Sequence, residues 1–210
     1  MEGYRTEEEQ IEHLKKWWQE NGLSIVAAIV IGLSAVLGWR AWQEHLIKQA
    51  EAASDIYQSM INNSIQAKHS EARLEAERIL EDYGSTTYAI YAAFMLARFE
   101  AENGNLDNAA RHLQWIESNT GDEEFTALAN LRHARILLLE NKPEEALARL
   151  KTTDPGKYLS SYEELKGDIY VHQGNIDEAR NAYEIALASR DSLKSDTSLL
   201  ELKLDNLGRY

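Results

Sequence analysis

From Asn21 to Trp39 the chain carries no charged side chain: NGLSIVAAIVIGLSAVLGW, 19 residues in a protein of 210. A helix needs about 20 apolar residues to cross the hydrocarbon core of a bilayer. Trp17 and Trp18 precede the run, and Trp39 and Trp42 close it, so four of the five tryptophans frame one stretch. Indole rings favour the headgroup layer. Lys15, Lys16 and Arg40 stand just outside. The core helix of a soluble domain has no reason to carry this two-sided frame. A cleaved signal peptide needs small residues where this chain has Gly38-Trp39-Arg40-Ala41-Trp42. The expectation is a retained single span over 21–42, behind a short tail of residues 1–20.

Orientation follows from the basic residues. Arg5, Lys15 and Lys16 lie in the first 20 positions, against Arg40 and Lys48 in the 20 after Trp39. The bias places the tail in the cytoplasm and the following domain outside, which in a Gram-negative bacterium is the periplasm. Within the span, Ala28 and Gly32 are four apart, as are Ser34 and Gly38. Small residues at that spacing let a second helix approach closely, either a copy of the same chain or another membrane protein.

Beyond the span there is no Gly or Pro from Trp39 to Tyr83. Leu46, Ala50, Ala53, Tyr57, Met60 and Ser64 fall at steps of three and four, one stripe of a helix. The membrane helix is therefore expected to run on to about Ile65, with residues 43–70 forming a helical stalk into the soluble domain. Two prolines and abundant Ala, Leu and Glu favour helix throughout.

The remainder repeats. GNLDNAARHLQWI (104–116), NKPEEALARLKTT (141–153) and GNIDEARNAYEIA (174–186) each combine a turn, an alanine and a bulky residue four later. The alanines are Ala109, Ala146 and Ala179, with a weaker copy at Ala76, at spacings of 33, 37 and 33. That period is similar to the tetratricopeptide repeat, two antiparallel helices per unit with the alanine where they press together. Gly104, Asn141 and Gly174 suit left-handed caps, and Pro143 a first helical turn. The fold class expected is all-α: one N-terminal transmembrane helix followed by an α-solenoid of tetratricopeptide-like hairpins over 71–190. A closing helix over 191–210 is expected to cover the open end through Leu199, Leu202, Leu204 and Leu207.

Chemistry is sparse. Net charge is −13 and no basic stripe exists for nucleic acid. Without cysteine there is no disulfide, thiolate site or thiol nucleophile. The six histidines form no pair at i, i+3 or i+4, and no phosphate loop or nucleophile motif occurs. No enzyme activity, cofactor or metal is expected. Repeats of this kind bind proteins on the face lined by their first helices. By register that lining is Tyr91, Phe94, Arg98 and Glu102, then Leu131, Arg135, Leu138 and Leu139, then Glu164, Asp168 and His172. The groove would be apolar at one end and acidic at the other, with Leu131 and Leu138 open to a second reading as ordinary core. The Lys/Asn set of modules that clamp chaperone C-termini is missing.

The stretches EEEQIEHLKKWWQENG, IGLSAVLGWRAW, GWRAWQEH, NLRHARILLLENKPEEAL, LKGDIYVHQGNIDEARNAYEIAL and LLELKLDNL together form a specific combination. Over nearly the whole chain it resembles the YfgM-type ancillary subunit of the bacterial Sec translocon. The resemblance implies an inner-membrane protein associated with the Sec channel and with a membrane-anchored periplasmic chaperone of the PpiD type. It further implies help in passing newly exported chains to periplasmic chaperones. It brings no catalytic residues. Membrane lipid and a second copy are further expected contacts. The alternative reading is a scaffold for another envelope machine, such as cell-wall synthesis or division.

Overall fold

The computed structural model describes residues 7–151, 154–190 and 198–209, and every element among them is helical. The helices are α1 (Glu7–Ile65), α2 (His69–Asp82), α3 (Thr87–Glu102), α4 (Leu106–Asn119), α5 (Glu123–Leu139), α6 (Pro143–Lys151), α7 (Leu159–Gln173), α8 (Ile176–Ala188) and α9 (Ser198–Asn206). Short 3₁₀ turns at Gly156–Tyr158 and Leu207–Arg209 precede α7 and follow α9. Residues 1–49 and 50–210 form two separate units.

The first unit is helix from Glu7 onward, so helix already occupies much of the tail. Glu, Gln, Lys and Leu there lose little rotamer freedom on becoming helical, and no Gly or Pro interrupts them before Gly22. Leu23, Ile29, Ile31, Leu33 and Leu37 are exposed, and α1 is long and apolar enough to cross a membrane by length and composition. At about 1.5 Å per residue, Trp18 and Trp39 stand roughly 32 Å apart along the axis, close to the thickness of a hydrocarbon core.

In the second unit the last turns of α1 pack on α2. Met60 is buried with Ala72, Ala76 and Ile79. Glu75 accepts hydrogen bonds from Ser59 Oγ at 2.5 Å and Asn63 Nδ2 at 3.0 Å. The break between the two helices has no Gly or Pro. Ala67 takes φ of 58° there, a left-handed position filled by a residue that rarely adopts it.

Three hairpins follow, α3/α4, α5/α6 and α7/α8, and their turns are built alike. Gly104, Asn141 and Gly174 have φ of 79°, 61° and 77°. In each turn the next amide returns to a carbonyl five residues back: Asn105 to Glu100 at 2.8 Å, Lys142 to Leu137 at 2.9 Å and Asn175 to Tyr170 at 2.9 Å. Those bonds satisfy carbonyls that a helix end leaves orphaned. Ala109, Ala146 and Ala179 are fully buried between the helices of their hairpins. At the last crossing even a methyl is too much, because a Cβ on Gly167 would lie 2.3 Å from the Tyr183 ring.

The closing segment departs from its expected register. Residues 191–197 lie outside the described residues. In α9 and the 3₁₀ turn after it the buried side chains are Leu200 and Leu207, with Leu204 partly covered, while Leu199 and Leu202 face solvent. The steps 200, 204 and 207 are four and three and make a helical stripe. The step from 202 to 204 is two and cannot.

Candidate protein-binding surface

The first-helix face is organised by rings. Tyr91 of α3 meets Tyr57 of α1 at 5.7 Å and, edge-on, Phe125 of α5 at 5.5 Å between centroids. Phe125 also meets Phe94 at 6.4 Å. The Arg132 guanidinium lies 4.8 Å over the Phe94 ring. Further along, Lys157 stands 5.4 Å over Tyr158. Aromatic pairs at these separations add to their area burial, and a cation over a ring face adds more.

Of the residues expected to line a groove, the structure divides them. Tyr91 is 39% exposed and stays available. Arg98 and Glu102 are exposed and bound to each other one turn apart at 2.7 Å. Arg135 and Leu139 are exposed, and Leu138 is half-covered against the core. Leu131 is only 2% exposed, inside the cluster with Ala127, Ala134 and Tyr162, so it is core and not lining. Phe94 is 7% exposed; stacking of α3 on α5 and the Arg132 lid cover its ring.

Glu164 and Asp168 do not form an open acidic end. Lys203 of α9 donates to Glu164 at 2.8 Å and to both Asp168 oxygens at 2.7 and 2.9 Å. Arg190 reaches Glu164 at 3.2 Å, and the Tyr183 hydroxyl donates to Asp168 at 2.7 Å. Burial, with Asp168 as the acceptor, pushes the Tyr183 phenol far up. The closing helix thus neutralises the carboxylates that the repeat register places there. His172 instead faces the preceding turn, its Nε2 2.7 Å from Asn141 Oδ1.

A second concavity, about 800 Å³, opens between α4 and α6 over α5. Its floor holds Asn130 and His133, both buried. Arg149 donates to Glu117 at 2.7 Å and to Asn130 Oδ1 at 2.8 Å. His133 Nδ1 lies 3.7 Å from the same Glu117 oxygen and has no hydrogen-bond partner among the described residues. Glu117 is held below the usual carboxylate range: burial raises it, but the nearby His133 ring and the Arg149 bond outweigh burial. Glu100 behaves alike, buried and bound by Asn105 at 2.8 Å and Arg73 at 2.5 Å.

Sequence reasoning missed Arg132, Phe125, Tyr57 and Lys203. For the first two a signal existed, since Phe125 and Arg132 are seven apart on one face of α5 and Arg132 is one turn from Arg135. Lys203 carried none, because its partners are 35 and 39 residues away. On α1, Ala28, Gly32, Ser34 and Gly38 are all exposed, and nothing lies within 4 Å of a Cβ placed on either glycine. At about 100° per residue the Ala28/Gly32 and Ser34/Gly38 pairs occupy two different sides of the helix.

The tetratricopeptide repeat-like domain model matches residues 15–209. The ancillary SecYEG translocon subunit of Haemophilus influenzae is 30% identical over 201 residues, 96% of this chain and 97% of that one. The proteins of the same name from Escherichia coli and Neisseria gonorrhoeae are 29% and 28% identical, covering 99% of this chain and 99% and 100% of theirs. With α1 from residue 15 onward and all three hairpins inside the matched span, the chain belongs to the family of ancillary SecYEG translocon subunits, built on the tetratricopeptide repeat-like domain.

Proposed function

We propose that this chain is a non-enzymatic ancillary subunit of the bacterial Sec translocon, anchored in the inner membrane by α1. The supporting observation is the extent of the likeness: it runs end to end through relatives that carry that name, apolar helix and repeats together. The tail lies in the cytoplasm and the repeat domain in the periplasm. The two small-residue sides of α1 meet the channel and a second span. The exposed first-helix face around Tyr91, Arg98, Glu102, Arg135 and Leu138 takes a segment of a periplasmic, membrane-anchored chaperone of the PpiD type or of an exported chain. The subunit thereby passes exported proteins into the periplasmic chaperone network.

Photo-crosslinkers placed at Gly32 and Gly38 in intact membranes test this reading. Adducts with the Sec channel are expected from at least one side. Adducts confined to cell-wall synthesis or division proteins would instead assign the scaffold role. Protease added to spheroplasts should digest the repeat domain; its survival until lysis would reverse the orientation.

A further inference from the structure

The chain carries a net charge of −13, yet the first-helix face holds a patch of the opposite sign. Arg132 and Arg135 stand one turn apart on α5, with Arg132 4.8 Å over the Phe94 ring of α3, the helix that carries Arg98; burial first, then the neighbouring Arg135 and Arg98 guanidiniums, push Arg132 below its ordinary value. Arg98 is shared with Glu102. Arg132 and Arg135 have no carboxylate partner among the described residues. Arg73, Arg149 and Lys203 by contrast each meet a carboxylate, of Glu100, Glu117 and Asp168. A half-buried guanidinium that faces like charges and has no counter-ion is a cost to the free protein, and an anion relieves it. The planar face of Arg132 is spent on Phe94, which fixes its orientation and leaves its donor edge for hydrogen bonds. Beside it lies the ring series Tyr57, Tyr91 and Phe125.

We propose that Arg132, supported by Arg98 and Arg135, is an anion-selective subsite that holds acidic side chains of an extended partner segment whose apolar residues lie on Tyr91 and Phe125. This rests on the first-helix face being the binding surface, and it names the partner's chemistry: alternating acidic and apolar residues within a chain. Arginine and aromatic side chains dominate interface energy where they cluster. The overall negative charge does not defeat an acidic ligand, because exposed charges beyond about 8 Å are screened at physiological salt.

The test uses the full chain in neutral detergent micelles at physiological salt. The probe is a labelled ten-residue peptide of alternating glutamate and leucine with both ends blocked, compared with its glutamine version. Glutamate should bind about tenfold more tightly, the scale of a charge-assisted hydrogen bond. Arg132→Gln should erase that preference, Arg132→Lys should keep part of it, and Arg78→Gln on α2 should leave it intact. Should Arg132→Gln fail to fold, Arg135→Gln at an exposed position should reduce the same preference. Equal binding of both peptides would overturn the subsite and leave the binding face standing. Binding of neither would remove both. An equal loss from Arg78→Gln would reduce the effect to bulk charge and overturn the proposal. A neutral peptide that binds as tightly through a free C-terminal carboxylate would assign the arginines to chain ends and overturn it too.

Discussion

Gly167 and Tyr183 pack too closely to admit a methyl between α7 and α8. A methyl at residue 167 would sit 2.3 Å from a ring that is itself fixed by a hydrogen bond to Asp168. The ring cannot swing away without breaking that bond. Gly167→Ala should therefore cost about 1–3 kcal/mol through overpacking, measured as a lower urea midpoint; an unchanged midpoint would mean that α7 and α8 separate freely. Ionisable residues give a second expectation. Glu100 and Glu117 have lowered folded values, so their contribution is complete above the unfolded value near 4.3 and is lost as pH falls through the folded ones. Tyr162 is pushed up to about 12 by burial, so its contribution is complete below the unfolded value near 10 and is lost between there and about 12. Melting temperature should fall as pH drops below about 4.3 and as it rises above about 10, and within that window His112, lowered by burial, begins to withdraw its contribution as pH falls below about 6.5. A curve that rises toward acid would contradict the buried carboxylate assignments.

The three turns show which features of an element can be read from sequence. Gly104 and Gly174 declare left-handed caps because no other residue adopts that conformation as readily, and Asn141 declares the third by position in the repeat. Asn141→Gly should be neutral or slightly stabilising, whereas Asn141→Ala should cost about 1 kcal/mol; equal melting for both would remove the cap. The break at Ala67 left no such mark, because alanine at φ of 58° is imposed by packing of Met60 on Ala72 and Ile79 rather than by local preference. The closing helix is legible as leucine-rich, but its register is not: Leu199, Leu202, Leu204 and Leu207 cannot share one face of a helix, and Leu200 is the residue buried. Leu200→Ala should cost about 2–5 kcal/mol and Leu202→Ala less than about 0.5. Denaturation of the two variants decides between the registers.

Across the whole molecule, the fold was legible because three levels agree: helix-forming composition, the repeat of buried alanines, and turn residues at the same offset in each unit. The binding face was legible only in outline. Repeat register locates the first helices and Arg98, Arg135 and Tyr91 on them, but it does not say which side chains a neighbouring hairpin covers. Leu131 and Phe94 are withdrawn by that stacking. Arg132 is brought forward by a ring contributed from another helix, and the acidic end is closed by a lysine from the last one. These are long-range contacts, and local pattern carries none of them. Function rests on the pairing of an apolar anchor with this repeat domain. The central measurement is the set of proteins that co-purify with the full chain after mild detergent extraction of its own membranes. The Sec channel subunits should be among the major partners, and should be lost when residues 21–42 are replaced by an unrelated span of equal length. Absence of the Sec channel from the native preparation, with another envelope complex in its place, would contradict the account.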